Sequence, residues 1–148
     1  MNLNAVVEET LLLMEKPLGT DGIRVSTSLD RTLPSILGDG SALHQVLLNL
    51  LTNAREAMAG RGEIRVDTSQ SAPPGQVRLV VTDTGPGISP RDLPNIFDPF
   101  FTTKPDGTGL GLSLSYGIVQ DHQGTVDVQS EPERGTTFIL SFPVPGSD

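Results

Sequence analysis

The clearest hydrophobic pattern in the chain follows Asp39 and continues, without proline or interior glycine, to Gly60. At about 100° per residue, most of its apolar side chains share one arc of a helical wheel: Leu43, Val46, Leu47, Leu50, Leu51, Ala54, Ala57 and Met58. Asp39 or Ser41 can cap the first turn, and Gly60 can end the helix. The pattern predicts a long amphipathic helix with one buried face.

Shorter patterns predict the remaining elements. Residues 4–16 have helical spacing that ends at Pro17, and Ile23 to Leu29 alternates like a half-buried strand. The pair Ile36-Leu37 predicts a short strand or a turn. Further along, the pattern predicts a hairpin formed by Glu63 to Thr68 and Gln76 to Thr82. It then predicts a helix from Gly109 to Gln123, closed by Gly124, and two final strands, Thr125 to Ser130 and Thr136 to Phe142.

These elements favour one architecture. Parallel βαβ units need a helix between successive strands, and two adjacent strand pairs here lack one, which disfavours a doubly wound sheet. The prediction is an α/β (α+β) two-layer sandwich, in which about three helices cover one face of a mixed, largely antiparallel sheet of about five strands. With 148 residues, 36% hydrophobic and 19% charged, residues 1–148 are expected to form a single domain.

The charge of the chain narrows the range of partners. The 18 acidic residues outnumber the 10 basic ones, giving a formal net charge of -8, so nucleic acid and direct membrane contact are not expected. The same charge opposes a polyanionic ligand, so a site for one would need local donors, a helix N-terminus and a metal ion, for which magnesium is expected. The chain has no cysteine and no apolar run near the ~20 residues of a membrane span, which fits a cytoplasmic protein.

Two glycine clusters flank a segment rich in phenylalanine and proline. The first, Gly85 and Gly87, follows a strand-like run that ends in Asp83. The second opens a helix-compatible segment: Gly107, Gly109 and Gly111. Glycines at a helix start expose backbone N–H groups that can hold phosphate oxygens. The second cluster fits neither the P-loop nor the dinucleotide pattern, since no Gly-Lys-Ser/Thr follows and Leu112 occupies the last glycine position.

Polar side chains beside these clusters indicate how a nucleotide would bind. The Asp83 carboxylate only accepts hydrogen bonds, so it suits the adenine amino group and repels the guanine carbonyl. The alternative is an ordinary turn capped by aspartate. Asn49 and Asn53 lie four residues apart on the border of the apolar helix face. An amide oxygen suits Mg²⁺, and the alternative is that both asparagines are solvated boundary residues.

Five motifs, in order along the chain, resemble the catalytic domain of bacterial sensor histidine kinases. The segment from Asp39 to Met58 resembles their N box, and Asp83 to Ile88 resembles their first glycine box. Phe97 to Lys104 is similar to the F box, Gly107 to Ser113 to the second glycine box, and Gly135 to Phe138 to the last short box. The resemblance covers nearly the whole chain and implies the GHKL (Bergerat) ATPase fold.

The resemblance also implies roles for individual residues. Asn53 would ligate the Mg²⁺ that bridges the phosphates, and Asn49 would assist. Asp83 would bind the adenine amino group, Ile88 would pack on the base, and Thr136 would support the adjoining water. The other residues expected to line the ATP site are Ala57, Gly85, Gly87, Phe101, Thr102, Thr103, Lys104, Gly107, Thr108, Gly109, Leu110, Gly111 and Leu112.

The resemblance further implies a lid over the ATP site, formed by Phe101 to Gly109. Within it, Lys104 would contact phosphate and act with the two asparagines in catalysis; the alternative is a solvated lysine. Phe97, Phe100 and Phe101 would anchor the lid and help to dock an acceptor domain, or would form a satellite core.

The resemblance also implies that Asn49 stands where ATP-hydrolysing proteins with the GHKL fold, the chaperones and gyrases, have a water-activating glutamate. An amide cannot accept a proton at neutral pH, so slow hydrolysis and transfer to a protein acceptor are expected. His44 lies about 180° from Asn53 on the helical wheel, and His122 lies beside Gly124, so both histidines are interpreted as structural or solvent-facing. The phosphoacceptor histidine is therefore expected on a separate dimerisation domain.

The predicted function is transfer of the γ-phosphoryl group of Mg-ATP to that histidine, in a two-component system with a response regulator as the indirect partner. Without the acceptor domain, the chain would be inactive toward histidine. One alternative is a serine kinase of the anti-sigma type, which generally lacks a Phe-Phe-Thr-Thr-Lys segment. Another is a module that binds ATP as a signal without catalysis.

Overall fold

The computed structural model describes residues 1–58, 61–71, 75–97, 111–131 and 134–144. These ranges contain three α-helices, one 3₁₀ helix and one five-stranded sheet. The helices are α1 (Leu3–Thr20), α2 (Gly40–Met58) and α3 (Gly111–Asp121), and the 3₁₀ helix is Leu93–Asn95. The strands are β1 (Ile23–Ser28), β2 (Gly62–Ser71), β3 (Gln76–Asp83), β4 (Thr125–Glu131) and β5 (Gly135–Pro143).

The sheet is mixed and mostly antiparallel, with the strand order β1-β2-β3-β5-β4. Only its first pair, β1 with β2, is parallel, while β2 with β3, β3 with β5 and β5 with β4 are antiparallel. Alternate residues of β3 and β5 are buried in the core, as the period of two in a strand requires. The predicted two-layer sandwich and its β2–β3 hairpin are therefore confirmed.

Helix α2 lies at the centre of the helical layer and follows its sequence prediction closely. The predicted apolar face is buried, except for Ala57, which is half-buried. Asp39 is the N-cap, because its carbonyl oxygen accepts from the N–H of Leu43 and its carboxylate accepts from the N–H of Ser41 at 2.9 Å. The predicted stop at Gly60 lies outside the described residues.

Helix α1 differs from the prediction that it ends at Pro17. The helix continues through Pro17 to Thr20. Pro17 lacks the N–H that would bond to the carbonyl of Leu13, and Leu13 lies on the exposed side of the helix, where water can replace that bond. The extra turn buries Leu18 in the core, so burial of an apolar side chain outweighs the lost hydrogen bond.

Strand β1 forms as predicted, but its apolar side is buried only at Ile23. Ile23 is buried, whereas Val25 is 38% exposed and the other residues of the strand are exposed as well. The reason is that β1 is an edge strand, and an open groove of about 580 Å³ separates its side chains from α1. Ile36 lies in irregular structure and Leu37 begins a bend, so the pair forms no strand.

Helix α3 ends differently from the prediction that Gly124 closes it. Gln123, not Gly124, has the left-handed backbone conformation, with a φ of 56°. The N–H of Gly124 then bonds back to the carbonyl of Val119, which satisfies the helix end. Gly124 is needed for space, since a Cβ atom there would lie 2.7 Å from the carbonyl oxygen of Ser141.

None of the helices in the described ranges has the length and apolar character that crossing a bilayer requires.

Candidate functional site

Strand β3 places Asp83 at one end of the sheet, beneath the helical layer. Val77, Leu79 and Val81 are the buried residues of this strand, and Asp83 is the next position on the same face. The side chain is consequently carried into the core end of the strand, where it is only 8% exposed. A buried carboxylate requires hydrogen-bond donors around it.

Two backbone donors surround this carboxyl group. The N–H of Gly85 donates to Oδ1 of Asp83 at 2.8 Å, and the N–H of Thr136 on β5 also donates to it. Burial raises the pKa of the Asp83 carboxyl above its usual 3.8, and the two donors partly offset that rise. The group is thus a desolvated acceptor, which suits it to a ligand that brings its own hydrogen-bond donor.

The turn after Asp83 packs against the end of α2. A Cβ atom added to Gly85 would lie 3.3 Å from Cγ of Met58 and 3.7 Å from the carbonyl carbon of Ala57. Thr84 ties the turn to β2, because its hydroxyl accepts from the N–H of Glu63 at 3.0 Å. The first glycine cluster therefore lies at the C-terminal end of the helix that carries the asparagine pair.

The same turn is held on its other side by the β4–β5 hairpin. Gly87 has a φ of 78°, and a Cβ atom there would lie 2.9 Å from the carbonyl carbon of Glu131 and closer still to its oxygen. The N–H of the next residue, Ile88, donates to the Ser130 hydroxyl at 2.6 Å. Only glycine suits this left-handed, tightly packed position.

The asparagine pair connects α2 with α3. Both side chains are half-buried, which confirms their predicted place on the border of the apolar face. Nδ2 of Asn49 donates to the Ser115 hydroxyl at 3.2 Å, and its Oδ1 accepts from Gln45 at 2.8 Å. Because α3 begins at Gly111, this contact holds the helix that follows the second glycine cluster beside the asparagines.

Phe97, the first residue of the F box, joins α3 to the sheet. Its ring lies 5.1 Å from that of Tyr116 and 6.5 Å from that of Phe138. Tyr116 is 39% exposed and Leu114 is 57% exposed. Aromatic side chains therefore continue from the core to the partly exposed ring of Tyr116 on α3.

Several predicted site residues lie outside the described ranges. They are Phe100, Phe101, Thr102, Thr103, Lys104, Gly107, Thr108, Gly109 and Leu110. Gly111 and Leu112 are the first two residues of α3, and Leu112 packs partly buried against the core. The described members of the predicted site are brought together at one end of the molecule, while the roles given to all of them remain predictions.

Both histidines take part in structural hydrogen bonds. The Thr10 hydroxyl donates its proton to the carbonyl of Val6, so Nδ1–H of His44 donates to the Thr10 oxygen at 2.8 Å. Nε2 of His122 accepts from the N–H of Asp39 at 3.0 Å, and its Nδ1–H donates to a carbonyl of α3 at 2.8 Å. These bonds agree with the structural interpretation of the two residues.

Sequence reasoning missed two serines at this site. Ser115 holds Asn49, and Ser130 holds the backbone of Ile88. The sequence places each serine in a predicted element, but it does not show which residue the serine bonds to. For Ser115, which is only 4% exposed, its position as a polar residue on the inner face of a helix is a further signal, since buried polar side chains need hydrogen-bond partners.

Gly87→Ala is expected to lower the free energy of unfolding by at least about 2 kcal/mol, because alanine disfavours this φ and its Cβ would overlap the β4 backbone. Gly117→Ala is the matched control. A Cβ atom there meets nothing within 4 Å, so this change within α3 should stabilise by about 0.5–1 kcal/mol. Urea unfolding of both variants measures the difference, and equal stability of the two would contradict the assigned turn.

The raised pKa of Asp83 predicts how stability depends on pH. The folded state binds the proton of the Asp83 carboxyl more tightly than the unfolded state does. The stabilisation of the fold that results is therefore fully present below pH 3.8 and is lost as the pH rises through the pKa of the folded state. The wild type should therefore gain stability relative to Asp83→Asn as the pH is lowered from neutral. Urea unfolding across that range checks the sign, and an opposite slope would mean that the two N–H donors outweigh burial.

Comparison with known proteins finds sequence similarity to an ATPase family and to sensor histidine kinases. The family described as histidine kinase-, DNA gyrase B-, and HSP90-like ATPase matches residues 38–146. Signal transduction histidine-protein kinase AtoS of Escherichia coli is 44% identical over 144 residues, which are 97% of this chain. The chain spans only 24% of the length of AtoS.

Solved structures agree with the sequence relatives. The nucleotide-free catalytic domain of histidine kinase ThkA superimposes with a TM-score of 0.86 at 34% identity, over 97% of this chain and 93% of that one. The structure of full-length ShkA in complex with AMPPNP has a TM-score of 0.86 at 31% identity, and the match covers 97% of this chain and 30% of ShkA. The structure of ThkA in complex with response regulator protein TrrA has a TM-score of 0.81 at 32% identity, and the match covers 97% of this chain and 40% of that chain.

Proposed function

Because the chain belongs to the histidine kinase-, DNA gyrase B- and HSP90-like ATPase family, and within it to the histidine kinase catalytic domains, we propose that it transfers the γ-phosphoryl group of Mg-ATP to a histidine on a separate dimerisation and phosphoacceptor domain. The observation that carries the proposal is the convergence of the first glycine box, the asparagine pair and the start of α3 at one end of the fold. A response regulator would receive the phosphoryl group next.

In this proposal Asp83 reads the base. Its desolvated carboxylate accepts a hydrogen from the adenine amino group, whereas the carbonyl of guanine would repel it. Gly85 and Gly87 let the backbone run beside the base, and Ile88 packs on it. The half-buried Ala57, which neighbours Gly85, adds a small side chain to the same wall.

The phosphates would extend from the base toward α2 and α3. Asn53 would present its amide oxygen, a hard ligand of the kind that Mg²⁺ takes in small number from protein. When bound, the ion would neutralise charge on the phosphates. Asn49 would assist by positioning, because both ends of its amide already bond to Gln45 and Ser115. The backbone at Gly111 and Leu112 would offer the positive end of α3 to phosphate oxygens.

The residues of the lid complete the proposed site. Phe101, Thr102, Thr103, Lys104, Gly107, Thr108, Gly109 and Leu110 would close over the phosphates, with Lys104 as the cationic member. Catalysis would then consist mainly of positioning the γ-phosphoryl group and balancing its charge. The amide of Asn49 cannot activate water as a base, which favours transfer to a protein over hydrolysis.

The acceptor domain would dock beside α3. Leu114 and Tyr116 are exposed there, and Phe97 supports Tyr116 from beneath. Partly exposed tyrosine side chains are enriched at contacts between proteins. His44 and His122 are held in structural bonds, so the proposal places the phosphorylated histidine on the docked domain.

Labelled ATP tests the proposed function when the chain is mixed with the acceptor domain of the same kinase. Acid-labile, base-stable phosphate on a histidine of that domain is the expected product. Phosphoserine would instead identify a serine kinase, and ATP binding without transfer would identify a non-catalytic sensor. Either of these outcomes would overturn the proposal.

A further inference from the structure

Ser130 on β4 contacts two residues of the proposed base pocket at once, Ile88 and Thr136. We propose that Ser130 is a positioning residue for base specificity: it fixes the turn that carries Ile88 and sets the direction of the Thr136 hydroxyl. This inference rests on the proposed function, since it takes the ligand to be ATP with its base at Asp83.

The sheet register places the three polar side chains in one row. Asp83 on β3 is opposite Thr136 on β5, and Thr136 is opposite Ser130 on β4. Directly opposite residues point to the same face of a sheet. Asp83 and Thr136 are both buried and Ser130 is half-buried, so the row extends from the carboxylate toward the edge of the pocket.

The hydroxyl of Ser130 can satisfy all of its neighbours in only one arrangement. A hydroxyl has one proton to donate and two lone pairs to accept with. The N–H of Ile88 donates to it at 2.6 Å. The carbonyl of Gly135, at 3.3 Å, can only accept, so Ser130 donates there. Oγ1 of Thr136, also at 3.3 Å, must then donate to the remaining lone pair of Ser130.

This arrangement determines what Thr136 offers to a ligand. With its proton directed to Ser130, the Thr136 oxygen presents only lone pairs, the same polarity as the neighbouring Asp83 carboxylate. Two acceptors side by side favour the donating amino group of adenine, directly or through water, and disfavour the accepting carbonyl of guanine. Without the Ser130 hydroxyl, Thr136 can turn and donate, and the N–H of Ile88 loses its partner.

Calorimetric titration with ATP and with GTP tests the proposal on four proteins: wild type, Ser130→Ala, Ser130→Thr and Gln129→Ala. Ser130→Ala should weaken ATP binding roughly three- to tenfold and weaken GTP binding less, so that the preference for ATP falls. Ser130→Thr keeps the hydroxyl and should restore the preference. Gln129 is the exposed neighbour on β4, and its alanine variant should behave as wild type.

Two results would overturn the inference while leaving the proposed function intact. One is an unchanged ATP-to-GTP preference in Ser130→Ala, and the other is an equal loss for both nucleotides, which a merely structural role would produce. If circular dichroism shows that Ser130→Ala is unfolded, Ser130→Cys replaces it, because a thiol hydrogen-bonds weakly at similar size, and the same criteria apply. A wild type that binds neither nucleotide would overturn both proposals.

Discussion

Asn53→Ala is expected to reduce Mg²⁺-dependent phosphotransfer by on the order of 100-fold or more, because an amide ligand to the metal would be lost at the point where charge on the phosphates must be balanced. The fold should survive this change. Asn53 is half-buried on the border of α2, next to the buried Ala54, so its truncation removes no apolar side chain from the core. Transfer of labelled phosphate to the acceptor domain measures the loss.

Gln120→Ala is the matched control for this prediction. It removes an exposed amide side chain from another helix, α3, at the end far from the asparagines. The control should transfer phosphate at the wild-type rate. If Asn53→Ala transferred phosphate at the wild-type rate and both proteins still required Mg²⁺, Asn53 would not be a ligand of the metal.

Asp83→Asn is expected to weaken ATP binding by on the order of 10- to 100-fold and to abolish the preference for ATP over GTP. The asparagine amide would direct a donor at the adenine amino group, where the carboxylate directs an acceptor. Calorimetric titration of both nucleotides gives the two affinities directly. Because Asp83 is nearly buried and bonded to two N–H groups, circular dichroism should accompany the titration to confirm that the variant is folded.

Asp127→Asn provides the same chemical change at an exposed position on β4. This control should retain both the affinity and the preference of the wild type. If wild-type protein binds ATP and GTP equally, or if Asp83→Asn keeps the preference for ATP, then Asp83 does not read the base.

The elements whose sequence patterns are long and regular were predictable. Helix α2 has an apolar residue at every buried position of its inner face, so periodicity alone located the helix and the asparagines on its border. The paired strands β2 and β3 alternate clearly, and their antiparallel pairing follows from the short connection between them. Asp83 could be placed at the buried end of β3 because it continues the inward-facing row of that strand.

The differences arise where distant parts of the chain decide the outcome. The local preference of proline would end α1 at Pro17, but the helix continues to Thr20 because Leu18 packs into the core. The alternation in β1 is real, yet the strand lies at the sheet edge, which no local pattern reveals. Ser130 lies beside Thr136 and in line with Asp83 because of the register of β3, β5 and β4. That register depends on tertiary structure, which the sequence of one strand does not specify.

A crystal structure of the chain with Mg²⁺ and a non-hydrolysable ATP analogue tests the central claim most directly. We expect the adenine amino group on the Asp83 carboxylate, Ile88 against the base, and the amide oxygen of Asn53 directed to the metal beside the phosphates. A nucleotide bound instead in the groove between α1 and β1, or a base that leaves Asp83 without contact, would contradict it.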